Sequence, residues 1–315
     1  MTDTGPLFVS SGDLIADRRY KWALDHAARG DFASAADILA QTVAIAPNFA
    51  TAWFALGAIR DRLGERHDAI VAFERARAAD PEDYHGARLQ LARLGAGEAT
   101  PAMTRTYVRR LFDQYAGHYD AALTRHLSYR GPALLREAVG TVQRLAGRPM
   151  RFSTMLDLGC GTGLAGAAFR DVVDRLVGVD LSEAMIAQAR TKGLYDRLVA
   201  GDLGGMLEDE AVADAAYQLA IAADVLVYVN DLQPVMSKIA RVLTPDGILA
   251  FTVETHSGEG AKLLATLRYA HSESYIRGVL GIAGLAVVQL GAASVRSEKG
   301  VPVDSLVVVA RPSTA

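Results

Sequence analysis

The hydrophobic and polar positions change their period part-way along the chain. Over roughly the first hundred residues apolar side chains recur at helical spacing, and the pattern repeats. Pro47 in IAPNFATAW and Pro81 in ADPEDYHGA lie 34 residues apart, as do Gly30 and Gly64, Ala35 and Ala69, and Leu39 and Phe73. A period of that length predicts stacked helical hairpins, in which small residues let paired helices approach and large ones fill the gap between neighbours. Two repeats are expected, about 16–49 and 50–83, with a capping helix near 84–95. LGAGEATPAM (94–103) reads as a linker, because two glycines and a proline interrupt the helical pattern. Beyond it Tyr107, Leu111, Tyr115 and Tyr119 recur every four residues, on one side of a predicted helix, with Val108 and Phe112 widening the stripe.

From Phe152 short apolar runs alternate with helices. FSTMLDLG, RLVGVDL, RLVAGDL, AYQLAIAADVLVYV, GILAFTVET, AVVQLGAA and SLVVVAR are strand candidates; LAGAAFRDVV, SEAMIAQARTKG, DLQPVMSKIARVL and HSESYIRGVLGIAG are helices. This alternation predicts an α/β unit built on a doubly wound, largely parallel, seven-stranded sheet, with ligands bound beyond the carboxyl ends of the strands. The domain organisation expected is 1–96 helical repeats, 97–150 linker and helical lid, and 151–315 α/β domain.

Composition narrows the setting. The 315 residues are half apolar and carry a formal charge of −3, enough chain for about two domains. No run approaches the roughly 20 apolar residues of a membrane helix, and MTDTGPLFVSSGD lacks the features of a secretion signal, so a cytoplasmic location is expected. The single cysteine has no partner for a disulfide, and without CxxC or HExxH spacing no metal is expected. The one clearly basic stretch, 101–150, holds eight arginines against three acids. Without a strongly basic domain or an aromatic-interleaved basic tract, nucleic acid is a poor candidate partner.

LDLGCGTGLAG (156–166) carries the chemistry. Its glycines are spaced G-x-G-x-G, and Leu164 stands where a dinucleotide loop has its third glycine. No Gly-Lys-Ser/Thr follows, which excludes a P-loop. Asp157, immediately before the glycines, would repel a pyrophosphate and suits a ligand bearing positive charge. Cys160 lies within this loop and is not expected to act as a nucleophile.

LDLGCGTG, with GVDLSEAMIAQAR downstream, resembles the class I S-adenosylmethionine (SAM)-dependent methyltransferases, whose fold is Rossmann-like. The resemblance implies SAM as cofactor. It implies that Gly159 and Gly161 let the backbone approach the amino-acid end of SAM and that Asp157 answers its ammonium. Asp180, with Leu181 beside it, would take the ribose hydroxyls; Met185 would lie on the adenine, and Asp202 and Leu203 would bind its polar edge. Asp224 would border the methionine end and the substrate. YVRRLFDQYAGHYDAAL resembles the lid that precedes many small-molecule methyltransferase domains, which would bring Tyr115 and Tyr119 to the cofactor and Tyr129 and Arg130 to its carboxylate, with Phe112 in the core. In the first hundred residues WFALGAIRDRLGERHDAIVAFERARAADP resembles a tetratricopeptide repeat (TPR) at Trp53, Leu56, Gly57, Gly64, Ala69, Phe73, Ala76 and Pro81, but departs from it at Arg60. Such a three-part chain is similar to a group of predicted bacterial TPR-containing methyltransferases.

The function expected is transfer of a methyl group to an oxygen or nitrogen of a small molecule, with an anionic acceptor favoured by the basic stretch. Two alternatives stay open: a protein methyltransferase recruited by the repeats, and a non-catalytic SAM-binding or TPR scaffold. The repeats can bind a partner, pack on the catalytic domain, or make a homodimer. Methyl transfer is driven chiefly by placing the acceptor in line and excluding water, and a base helps where the acceptor must lose a proton. His256, His271 and Tyr269 are the base candidates.

Overall fold

The computed structural model describes residues 8–98, 102–120, 128–298 and 300–313. The start of the chain to Leu7, Pro101 of the expected linker and Arg125 of the basic stretch lie outside the described residues. The chain divides into two compact units. One ends at Tyr107 and also takes in Ala265–Leu267; the other runs Val108–Leu264 and continues from Arg268. Among the described residues no helix is long and apolar enough to cross a membrane.

The first unit is helical, and its 34-residue period is structural. Helices α1 (Leu14–Ala28) and α2 (Phe32–Ile45) form one hairpin, α3 (Ala50–Arg62) and α4 (Arg66–Ala79) the next, followed by the short α5 (Ala87–Arg93). The second helices, α2 and α4, start and stop 34 residues apart. Each hairpin turns at a left-handed glycine, Gly30 (φ +83°) or Gly64 (φ +79°), and the glycine amides bond to Ala27 and Asp61 carbonyls, both at 3.0 Å. The repeat also fixes how helices pack. A Cβ on Gly57 would sit 2.8 Å from the Phe73 ring, so the glycine is the space the phenylalanine fills. In the first copy the equivalent positions are Ala23 and Leu39, both fully buried: a larger residue on one helix goes with a smaller one on the other.

The second unit is the α/β layer structure. After α6 (Arg105–Tyr115), which spans the boundary between the units, come α7 (Gly131–Leu145), β1 (Phe152–Leu158), α8 (Leu164–Phe169), β2 (Val173–Asp180), α9 (Glu183–Thr191), β3 (Arg197–Ala200), α10 (Leu203–Val212) and β4 (Tyr217–Ala222). Then follow α11 (Gln233–Val242), β5 (Leu243–Glu254), β6 (Ala261–Leu263), β7 (Tyr269–His271), α12 (Glu273–Ile282), β8 (Leu285–Glu298) and β9 (Val301–Pro312). The parallel core runs β3-β2-β1-β4-β5, and β9 continues it antiparallel to β5, with β8 outermost. Apolar side chains cover both faces. Met206, Leu207, Met236, Ile239 and Ile276 from α10–α12 pack on one, and Leu135 and Val139 of α7 with Phe169 of α8 on the other. Burial of each large side chain of this kind stabilises by about 1.5–3 kcal/mol.

Three expectations need correction. Among the described residues the sheet has nine strands, not seven, because β6 and β7, three residues each, add a small flap beyond the end of β5. Helix α10 was not foreseen; Asp202 caps it, accepting the Gly205 amide at 3.2 Å, where the sequence offered only a strand followed by glycines. The tyrosine stripe is interrupted after Tyr115, where Ala116–His118 turn and the His118 amide bonds to the Tyr115 carbonyl at 2.9 Å. Tyr119 therefore leaves the line of α6.

The Gly57–Phe73 fit makes a prediction. Gly57→Ala alone will destabilise the chain despite alanine's better helix propensity, while Gly57→Ala with Phe73→Leu, the first copy's pairing, will show a favourable coupling of roughly 1–3 kcal/mol in a double-mutant cycle by urea unfolding. Additive effects would show that the two residues do not share one space.

Candidate functional site

At the carboxyl end of β1 the chain turns through three left-handed glycines, Gly159 (φ +65°), Gly161 (φ +52°) and Gly163 (φ +94°), before entering α8. Two constraints act at Gly159: the backbone conformation, and Val225, whose Cγ2 would lie 2.3 Å from an added Cβ. The loop is stitched to the end of β2. The Cys160 amide donates to the Val179 carbonyl (2.9 Å), the Gly163 amide to the Cys160 carbonyl (2.8 Å), and the Gly161 amide to Asp180 Oδ2 (2.8 Å). Asp180 Oδ1 accepts the Ser182 amide at 2.9 Å. Burial pushes the Asp180 carboxyl up to about 6, against the pull of those two amides. Burial also pushes the Cys160 thiol up, so it stays protonated and is no nucleophile.

Asp157, one residue before the end of β1, is 1% exposed. Its Oδ2 accepts the Tyr195 hydroxyl at 2.6 Å, while Oδ1 is buried without a hydrogen-bond partner of good geometry. Burial raises this carboxyl to about 7. Asp224, just past β4, has a left-handed backbone (φ +59°) and gives its amide to Thr252 Oγ1 at 2.9 Å. Both of its carboxylate oxygens are held by Arg296.

That pair opens a charge network the sequence did not disclose. Arg296 on β8 also bonds Glu254 at the end of β5, and Arg268 Nε reaches the same Glu254 Oε1 at 2.5 Å. Glu298 accepts from Arg268 and, at 3.2 Å, from Arg296 Nε. Arg268, Arg296 and Glu254 are each less than 5% exposed, so two buried cations are answered by three acids. Removing one member of such a group is costly, because it leaves an unpaired buried charge.

Above the strand ends stand aromatic side chains. Phe112 is not core: it makes edge contacts with Tyr119 (6.0 Å between centroids) and Tyr228 (5.2 Å). Burial raises the phenols of Tyr119, Tyr129 and Tyr228, and the charges of Asp224 and Arg296 act on all three. Each keeps some accessible surface. Two acids attach the segment around α6 to the loop. Ser182 Oγ donates to Asp113 Oδ1 at 2.5 Å; Asp120 accepts from Thr162 of the glycine loop and pairs with Lys192 at 2.7 Å.

Asp157, Gly159, Gly161, Asp180, Asp224, Tyr119 and Tyr129 therefore gather at one edge of the sheet. Leu181 follows β2 directly, Met185 is fully buried on α9, and Asp202 and Leu203 begin α10 beyond β3. Tyr115 is half-buried at the end of α6, and the Arg130 side chain is exposed at the start of α7. The base candidates have their own partners outside this group. His256 Nδ1 accepts the Gly258 amide (3.0 Å) and Nε2 faces the Gly260 carbonyl (3.2 Å), so both nitrogens serve their own loop. His271 is fully buried, its Nε2 bonded to the Val229 carbonyl at 3.0 Å, and Tyr269 is 1% exposed. A base must reach its proton, and these side chains are enclosed or already engaged.

The unit is a mixed α/β, Rossmann-like fold of the kind found in methyltransferases. Residues 156–251 match the family model described as a methyltransferase domain. Magnesium protoporphyrin IX methyltransferase from Synechocystis PCC 6803 with bound SAH superposes with a TM-score of 0.50 at 19% identity, covering 67% of this chain and 100% of that one. Among curated proteins, malonyl-[acyl-carrier protein] O-methyltransferase from Methylovorus sp. (strain MP688) is 32% identical over 154 residues, 46% of this chain and 49% of that protein. The protein of the same name from Serratia marcescens is 28% identical over 156 residues, 49% of this chain and 55% of its own. The chain thus spans about half the length of the curated relatives it matches.

The residues present suit SAM. A buried carboxylate oxygen of Asp157 lacks a partner, Asp180 presents acceptor oxygens at the strand end, and both acids carry raised pKa values that a cationic ligand would relieve.

Two measurements check this description. Gly159→Ala should lose more than about 2 kcal/mol in urea unfolding, since it combines backbone strain with the Val225 clash; Gly193→Ala, with φ +62° and open space, should lose only about 1 kcal/mol. Equal losses would remove the packing argument. A carboxyl raised above its unfolded value contributes stability at low pH that is lost as pH rises through the folded value. Unliganded protein should therefore lose stability between pH about 4 and about 7, and Asp157→Asn should flatten much of that decline. A variant that declines as steeply as wild type would show that Asp157 does not carry it.

Proposed function

We propose that this protein is a SAM-dependent methyltransferase acting on an oxygen or nitrogen of a small molecule. The observation that carries the reading is the end of β2: Asp180 holds the glycine loop through the Gly161 amide while presenting acceptor oxygens to a ligand lying against that loop. When bound, SAM supplies an electrophilic methyl group. Asp157 answers its ammonium, Asp180 and Leu181 bind the ribose, and Met185, Asp202 and Leu203 take the adenine. Tyr119, Tyr129 and Tyr228 stand beside the bound cofactor and exclude water, which strengthens each of these polar contacts. Asp224 borders the acceptor side, its orientation set by Arg296.

Four arginines are already paired with acids and do not by themselves select the acceptor's charge. Arg136 pairs with Asp171 and Arg148 with Asp246 on the surface, and Arg268 and Arg296 are neutralised by acids. The malonyl-[acyl-carrier protein] O-methyltransferases point to oxygen as the acceptor atom. Oxygen also fits the engaged histidines, because a carboxylate acceptor has no proton to lose. The 34-residue hairpins we read as TPR-like, a docking surface or a support for the catalytic unit.

Calorimetry with SAM and its demethylated product tests the reading: micromolar-range binding is expected, and Asp180→Asn, which keeps one acceptor oxygen for the loop amide, should weaken it strongly. Incubation of metabolite and protein extracts with radiolabelled SAM should then label a small molecule. Label in protein alone would favour the repeat-recruited alternative, and binding without labelling in any extract would favour a non-catalytic scaffold.

A further inference from the structure

Tyr195 lies between α9 and β3 and belongs to none of the expected site residues. Its neighbour Asp196 fastens the segment to β2: the Asp196 amide donates to the Leu176 carbonyl (2.9 Å), and Asp196 Oδ2 accepts the Leu176 amide (2.7 Å) and pairs with Arg170 (2.9 Å). The ring is thereby driven under the glycine loop. Three glycines make its slot, since an added Cβ would lie 2.3 Å from the Tyr195 hydroxyl at Gly166, 2.7 Å from Cε1 at Gly178 and 3.0 Å from Cε2 at Gly163. At the end of the slot the hydroxyl donates to Asp157 Oδ2 at 2.6 Å. Burial and the adjacent acid push the phenol far above its usual range, so it remains a donor.

We propose that Tyr195 is a positioning residue of the cofactor site, holding Asp157 by one carboxylate oxygen so that Oδ1, buried and without a good partner, is left to receive the cofactor's ammonium. The inference rests on the reading that this loop takes SAM. The other titratable groups acting with or on Asp157 are Asp180, Cys160 and Tyr129; none supplies a cation. The Tyr195 hydroxyl, ahead of a smaller contribution from the Gly166 backbone, is therefore the main hydrogen bond that favours the Asp157 carboxylate, and its loss must raise the Asp157 carboxyl further above about 7.

The test is calorimetric titration with S-adenosylhomocysteine, which has the same amino-acid end, from pH 5.5 to 8.5. Affinity of the wild type should rise with pH as Asp180 and then Asp157 ionise. Tyr195→Phe keeps the ring in its slot; it should bind roughly ten-fold more weakly at pH 7, with the rise displaced to higher pH. A purely structural tyrosine would not move that midpoint. In unliganded protein the same substitution should displace the pH-dependent loss of stability in the same direction, a readout that needs no ligand. Wild-type binding with Tyr195→Phe unchanged in affinity and midpoint would overturn this inference alone, whereas a wild type that binds neither SAM nor S-adenosylhomocysteine at any pH would overturn the methyltransferase reading with it.

Discussion

The Gly161 amide bonds to the carboxylate that ends the neighbouring strand, and this joins the path of the backbone to the charge of the site. Because Asp180 accepts from the loop, the chain leaving β1 must turn tightly, and it does so through three left-handed glycines. That tightness brings Gly159 against Val225 past β4 and opens the slot that Tyr195 fills from below. Replace the glycines with ordinary residues and β1, β2 and β4 cannot converge as they do. The fold and the site share one constraint.

Its consequence is electrostatic. Asp157, Asp180 and Asp224 are drawn together where water is scarce, and burial penalises each ionised carboxyl. The protein treats them differently. Asp224 is neutralised by Arg296, whereas Asp157 and Asp180 have only a phenol and backbone amides. The first is therefore held as an ion within a fixed framework, and the other two remain poised near neutrality. A ligand with positive charge at its amino-acid end gains most where the protein has withheld its own cations.

What could be read from the chain was what lies close together in it. Thirty-four-residue spacing between Gly30 and Gly64 became two left-handed turns with matching hydrogen bonds, and G-x-G-x-G after an apolar run became the loop between β1 and α8. Asp180 fell at a strand end because one helix and one strand fit between it and the glycines. What could not be read depends on distant pairings. Asp224, Glu254, Arg268, Arg296 and Glu298 come from five places, and no local pattern marks them as one network. Tyr195 has no signal beyond being aromatic beside a strand. The sequence also placed His256 on the ligand side without revealing that Gly258 and Gly260 curl back onto both of its nitrogens.

The placement of the histidines bears on chemistry. An open nitrogen of His256 or His271 beside the glycine loop would suit an acceptor that loses a proton. Instead His256 serves its loop, and His271 sits inside, stacked on Tyr275 and bonded to the turn after β4. The side chains gathered beside the glycine loop are phenols held protonated and an aspartate locked in an ion pair. Such a lining orients, screens and excludes water but does not readily take up a proton. Under the proposed function it suits a reaction in which an already nucleophilic acceptor meets a reactive methyl group, with alignment, and not proton removal, as the protein's contribution.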